Sequence, residues 1–293
     1  MNFSERKKGI FSLVGLAIIY ASLGLFSRFL STNFLLFQQV YIRMFAALIL
    51  GFLFFYKKLD FSKLKKISIK EWLLLMFRSA GYYLFGVVLF TKASLLIKIS
   101  TLSFIGSLPM TAALSFLLMQ EKPTLKKIFY IFLAFVGVAI ISIKDFSSVL
   151  VWGQGEMLAL LSSIMASLSI VFRKYQTKLL NNIEISQIML FFSFLFVLIG
   201  SLIFKEGLPL NNWNANILLM VIIAGVVNIL LVLFTNYGFE KVQTSIASNI
   251  LTLEMFFAVI LGFMFYREIP TAKDMLGGIF ILFSVFQMNK LES

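Results

Sequence analysis

Three ionisable side chains stand inside long apolar runs of this chain: Arg43, Arg78 and Glu254. Around Glu254 the sequence reads NILTLEMFFAVILGF, with no Lys or Arg nearer than Lys241 and Arg267. A carboxylate so placed can pair with an arginine, hold a proton, or hydrogen-bond backbone freed at a helix break. Asn249 and Thr252 come just before it. Arg78 has Gly81 at i+3 and Tyr82 at i+4, so one helical face offers a cation, a phenol and room beside them. That set suits a carboxylate, a phosphate or an aromatic ring, and it equally suits a snorkelling or structurally paired Arg. Arg43 lies about ten residues into its run, deep enough that it needs a pair, a lipid headgroup or a ligand. Asn228 is an amide in an apolar run and must find a partner in the protein interior. Tyr20 and Ser22 are weaker candidates for the same interior. Gly106 and Pro109 interrupt a further run. The Pro removes a mid-helix hydrogen bond and the Gly loosens the turn, which makes a hinge or a packing kink beside Ser103, Ser107 and Thr111.

Other chemistry is excluded by what is missing. The 293 residues contain no Cys and no His, and only 13 acids. No thiol chemistry, disulfide framework or His-based acid–base chemistry is available, and the scattered acids make no metal site. An enzyme is not expected, nor is a cofactor. No GxxxxGK[ST] loop appears, so direct ATP drive is not expected. The net charge of +13 suits nucleic acid only on a soluble basic domain. Here the bases fall in short loops between apolar runs, where they fix membrane orientation, so no nucleic-acid partner is expected.

The elements that position these residues must be membrane helices. The chain is 60% hydrophobic and 13% charged, with mean hydropathy +0.96. Soluble domains are typically about 45–50% apolar and about 25% charged. The expected fold class is an all-α polytopic membrane protein whose solvent is a lipid bilayer. Runs near the ~20 residues a span needs lie at roughly 9–29, 34–56, 71–91, 99–119, 125–143, 155–172, 185–204, 215–236, 245–266 and 272–288, ten transmembrane helices in all. Trp72, Trp152 and Trp213 fall at their ends, as an aromatic belt would place them. The first run is longer than a signal-peptide core and is read as a retained span. Most of the 26 basic residues fall on one side, which places both termini in the cytoplasm and the protein in the cytoplasmic membrane.

The two halves echo each other. ASLGLFSR (21–28) answers ASLSIVFR (166–173), LFT recurs at 89–91 and 233–235, and EKPT (121–124) returns as EIPT (268–271). The near-constant spacing of ~145 residues marks a duplication. It divides the chain into repeats at 1–147 and 148–293 with five spans each. An odd number of spans inverts the second copy, the arrangement by which many transporters alternate access around a midplane site. Thr124 and Thr271 suit helix caps, with Asp274 in an acidic capping position.

These residues, taken in order along the whole chain, resemble the EamA-like branch of the drug/metabolite transporter superfamily. Arg28 in the first run, Arg43 early in the second, Pro109 with Glu121 in the fourth, and Leu253, Glu254 and Glu268 in the ninth match family positions. Tyr20 and Ala21 stand where the family often has Trp-Gly, and Met255 replaces a Pro, so a symmetric second hinge is not expected. The resemblance implies a permease for a small organic metabolite. Arg43, Arg78, Tyr82, Asn228, Asn249 and Glu254 are the candidate substrate-binding residues, with Gly106 and Pro109 as the hinge. Intramembrane arginines favour an anionic group and Glu254 an amine, so an amino acid or a related zwitterionic or anionic metabolite is expected. The Arg-Ser-Ala-Gly start of the third run suggests S-adenosylmethionine or a nucleotide-like metabolite as an alternative. A non-transporting scaffold or receptor is the alternative of another class. Proton coupling, exchange and facilitated diffusion all stay open, as do direction and oligomeric state.

Overall fold

The computed structural model describes residues 3–118, 124–142, 153–242 and 250–292, and every regular element among them is helical. Hydrocarbon offers backbone groups no water to bond, so apolar runs that cross it must satisfy their N–H and C=O groups internally. Helices α1 (Phe3–Leu30) and α2 (Leu36–Phe55) come first. Helix α3 (Ile69–Ser79) runs through a π-helical stretch, Ala80–Val87, into α4 (Val88–Ser94). Helices α5 (Ile99–Gly106) and α6 (Met110–Leu118) follow, and α7 (Leu125–Ser142) completes the first half. The second half contains α8 (Gln154–Val171), α9 (Asn182–Ile203), α10 (Ala215–Lys241), α11 (Leu253–Tyr266) and α12 (Ala272–Glu292).

Seven helical segments are long and apolar enough to cross a membrane, fewer than the ten expected spans. Two of the remaining runs are interrupted. The run at 99–119 is split between α5 and α6 at Ser107–Pro109, and the described part of that at 245–266 holds helical residues 250 and 251 and, after Thr252, the 14 residues of α11. The expected run at 272–288 falls within α12, which is 21 residues long.

Polar ends are fixed by short capping circuits. Ser68 and Glu71 close a reciprocal cap on α3, Asn181 and Glu184 on α9, and Thr271 and Asp274 bond each other's backbone N–H at the start of α12. Such caps satisfy N–H groups that have no intrahelical partner. Outward-facing Phe52, Leu53, Phe54, Phe263, Met264 and Phe265 remain exposed, as side chains do when the surrounding solvent is apolar.

The packing repeats when the halves are exchanged. Helix α1 lies along α10, and α8 lies along the α3–α4 segment. Helix α2 packs on α10 and α3 on α9; α1 packs on α11, and α8 on α5 and α6. The pairs α2 with α9, α5 with α11 and α7 with α12 map onto themselves. At the last of these, a Cβ on Gly137 would lie 2.6 Å from the Gly277 carbonyl, and a Cβ on Gly277 2.5 Å from the Gly137 carbonyl. Only glycine at both positions lets the backbones approach so closely, the small-residue contact typical of helices in lipid.

Candidate functional site

Glu254 sits in the first turn of α11, directly after a one-residue interruption of the helix at Thr252. A helix start favours a negative group. Its Oε1 accepts a hydrogen bond from Ser103 Oγ of α5 at 3.1 Å, so second-half α11 is tied to first-half α5 just before the Ser107–Pro109 break. The phenols of Tyr20 on α1 and Tyr82 in the π-helical stretch adjoin each other, and both lie within electrostatic reach of Glu254. Thr235 of α10 reaches the Tyr20 phenol, and the Tyr82 ring meets Tyr83 edge-on with centroids 4.9 Å apart. A carboxylate, two phenols and two hydroxyls therefore converge from five segments drawn from both halves. No salt bridge joins Glu254 to a Lys or Arg among the described residues.

At Thr252 the helical hydrogen-bonding pattern is interrupted for one residue without a Pro, while the backbone there stays right-handed helical. In the first half, Gly106 ends α5 and Pro109 directly precedes α6. A Cβ on Gly106 would meet nothing within 4 Å, so close packing does not demand that glycine.

Arg43 stands apart from this centre. Its Nη1 donates to Ser27 Oγ at 3.3 Å, its Nη2 to Thr91 Oγ1 at 3.0 Å, and its Nε to the Gln39 carbonyl at 3.1 Å. Ser27 lies seven residues beyond Tyr20 on α1, a displacement of about 10 Å along the helix. Arg43 is 2% exposed, and the three bonds it makes go to neutral groups of the protein.

One residue further on α1, Arg28 closes the same end of the molecule. Its Nη1 meets Glu268 Oε1 at 2.6 Å, and its other nitrogens donate to the carbonyls of Ser94 and Ile97, both at 2.6 Å. Glu268 Oε2 accepts the Ile99 N–H at 2.9 Å, and the Tyr266 ring covers the guanidinium at 4.7 Å. Both residues stand among the repeated and family-matched positions of the sequence. Their pairing across 240 positions carries no local signal. A recess of about 330 Å³ at the α1–α2 and α9–α10 connections, lined by Asn33, Gln38 and Asn212 among others, is remote from Glu254 in sequence and shares none of its partners.

Arg78 binds in another direction. It donates from Nε to the Ser169 carbonyl at 2.9 Å and from Nη1 to Gln176 Oε1, while Ser169 Oγ donates to the Arg78 carbonyl at 3.0 Å. This ties α3 to the end of α8 and the turn after it. Asn228 satisfies its amide within its own helix, donating to the Ala224 carbonyl at 2.8 Å, rather than across helices. Asn249 lies outside the described residues. The structure thus joins Glu254 and Tyr82, adds Tyr20 and Ser103 to them, and separates Arg43, Arg78 and Asn228 into other circuits.

Comparison with known proteins agrees with this architecture. No curated protein matches the chain. A solved protein, described only as a crystal structure, superposes with a TM-score of 0.63 over 97% of this chain and 98% of its own, at 12% identity. At that identity the likeness shows fold alone. The model of the EamA-like transporter family matches twice, at residues 7–143 and again at 153–290. With nearly the whole chain matched as two copies of one unit, the protein is a multi-pass membrane protein that belongs to the EamA-like transporter family.

Proposed function

We propose that the chain is a secondary transporter that moves a small organic metabolite across the cytoplasmic membrane by alternating access. Counting the broken segments as spans gives ten helices in two inverted five-helix repeats, divided near residue 147, with both termini cytoplasmic. The observation that carries the reading is Glu254, held where both halves meet by a hydrogen bond from Ser103 and, among the described residues, without a Lys or Arg partner. A carboxylate in a membrane interior is costly unless it meets a partner. A substrate amine and a proton are the two partners able to come and go, so Glu254 serves each in turn. The phenols of Tyr20 and Tyr82 suit an ammonium, through their π faces and hydroxyls. An amino acid or another amine-bearing metabolite is the substrate class this set fits. An α-amino acid, whose charges sit one carbon apart, cannot reach Glu254 and Arg43 together across about 10 Å of helix. Its carboxylate is therefore met by hydroxyls at the centre and not by Arg43 in this conformation.

The test is flux into proteoliposomes with amino acids, S-adenosylmethionine and nucleotides, for wild type and Glu254→Gln. Saturable uptake of an amine-bearing compound, lost in the variant while insertion stays normal, is expected. No flux for any compound, with no ligand-induced thermal shift, overturns the transporter reading. Full flux in Glu254→Gln at every pH overturns the role of that carboxylate.

A further inference from the structure

A second buried polar cluster remains once the centre and the Arg28–Glu268 pair are accounted for, and among the described residues it carries positive charge without an acid partner. Arg43 is 2% exposed, and Ser27, Thr91 and Gln39 are each 0% exposed, in the middle of three packed segments, α1, α2 and α4. A guanidinium has five N–H donors, and three donor atoms of Arg43 are engaged, with Gln39, Ser27 and Thr91. Every one of those acceptors is neutral. Each Nη keeps a second N–H beyond these bonds. The side chain of Gln39, one turn before Arg43 on the same face of α2, has neither its amide Nε2 nor its Oε1 in a hydrogen bond.

The nearest acids by connectivity are committed elsewhere. Glu268 spends one oxygen on Arg28 and the other on the Ile99 N–H. Glu206 caps α2, accepting from the N–H groups of Phe37 and Gln38. A buried charge without a counter-charge is strongly destabilising, and a buried amide without a partner adds its own desolvation cost. Donors thus exceed acceptors around one formal positive charge. That balance is what an anion answers: a neutral water satisfies an amide but leaves the charge uncompensated.

We propose that Arg43, Gln39 and Thr91 form a binding site for a small monovalent anion, either a free halide or the carboxylate end of an organic molecule. The anion takes the remaining guanidinium N–H groups, the Gln39 amide and the Thr91 hydroxyl, and it neutralises Arg43 between α1, α2 and α4. The site is separate from Glu254 and does not depend on the transporter reading, because it concerns binding and charge balance alone.

The experiment uses the purified full-length protein in detergent, with thermal unfolding followed in sodium isethionate, a bulky sulfonate that is neither halide nor carboxylate, and then in sodium chloride, bromide or acetate at constant ionic strength. For the wild type, a saturable rise in Tm with chloride and bromide identifies a free halide site. A saturable rise with acetate alone identifies an organic carboxylate as the occupant. Two variants keep the test decisive. Gln39→Leu keeps a similar shape without the amide, and its half-saturating anion concentration rises at least tenfold. Gln39→Glu supplies the negative charge from within, so its Tm in isethionate exceeds that of the wild type and its response to added anion disappears. An identical Tm for the wild type in all four salts overturns the proposal. So does a saturation curve left unchanged by Gln39→Leu and Gln39→Glu.

Discussion

Opening the end of the molecule that carries Arg28 requires α1 and the α4–α5 connection to part from the end of α11, and the Arg28–Glu268 pair is what holds them. The side chains of Arg28 and Glu268 are 15% and 17% exposed, so the pair is screened only in part. Replacing Glu268 with Gln keeps the shape and the amide oxygen but removes the charge at the 2.6 Å contact. A hydrogen bond to a charged group contributes about 1.5–3 kcal/mol. Discounting for the exposed fraction leaves about 1–2 kcal/mol, a factor of about 5–30 in the population with that end open.

The absence of native cysteine supplies the assay. Ala258 lies beneath the clamp, packed with Ala21 and Ile99, and is fully buried. In an Ala258→Cys background, a membrane-impermeant thiol reagent applied from the Arg28 side reports how often that end opens. Glu268→Gln is expected to speed labelling by about 5–30-fold, the same factor as above. Arg28→Lys should act in the same direction, because an ammonium cannot hold Glu268 and both carbonyls in the planar fork. Labelling that stays within twofold of the parent in both variants, while the unfolded protein labels fully, refutes the clamp.

The other expectations concern the frame and the centre. Gly277→Ala puts a methyl into the Gly137 carbonyl, so it should destabilise the α7–α12 contact by about 1–3 kcal/mol, read from denaturant unfolding in micelles. Glu184 is 4% exposed and accepts from the Asn181 and Asp60 N–H groups and from Lys63. Glu184→Ala strands those donors and should cost about 2–4 kcal/mol in the same measurement, without changing the substrate affinity of the folded protein. Gln176→Ala frees one arm of Arg78 and should lower Tm while leaving substrate specificity unchanged. A changed specificity in that variant would place Arg78 in the substrate path.

What the sequence made legible was whatever composition and period alone determine. Apolar runs of span length become helices because lipid leaves them no alternative, and the repeated ASL-x4-R and E-x-P-T markers reported the duplication. The caps at Thr271 and Asp274 could be read because a capping box acts over three residues. The pairing of charges could not be read. Arg43, Arg78 and Glu254 all looked like candidates for one cavity, since depth in an apolar run says nothing about which way a side chain turns. The fold sends Arg78 to Ser169 and Gln176, Arg43 to Ser27 and Thr91, and of the three only Glu254 to Ser103 beside the break in the fourth run. Arg28 found its acid 240 positions away, a distance at which no spacing rule operates. The helix interruption at Thr252 was hidden for a related reason: it contains neither Pro nor Gly to announce it.

That interruption gives Glu254 its meaning in the repeat. The spacings between the repeated markers carry Pro109 to the neighbourhood of Glu254, so the stretch that breaks the helix in one half corresponds to the stretch with the carboxylate in the other. Both segments are broken there, at Ser107–Pro109 and at Thr252, and Ser103 bridges them by bonding Glu254. A symmetric pair of broken helices supplies backbone able to rearrange from either side of the membrane. A symmetric pair of carboxylates would repel at the centre. A proline in one of these stretches and a glutamate in the other leave a single negative charge between them. The frame can then repeat itself while the chemistry does not. Restoring a proline beside Glu254 by Met255→Pro should therefore leave the fold intact, since Met255 already follows an interrupted turn and its N–H bonds only the Thr252 carbonyl, at 3.2 Å. Proline within an intact helix costs about 3 kcal/mol. A Tm loss much smaller than that cost implies, for Met255→Pro set against the same substitution at Val259 within α11, is the expected result. Equal losses at the two sites would show that α11 is continuous through Glu254 and would remove the structural basis for placing the carboxylate at a break.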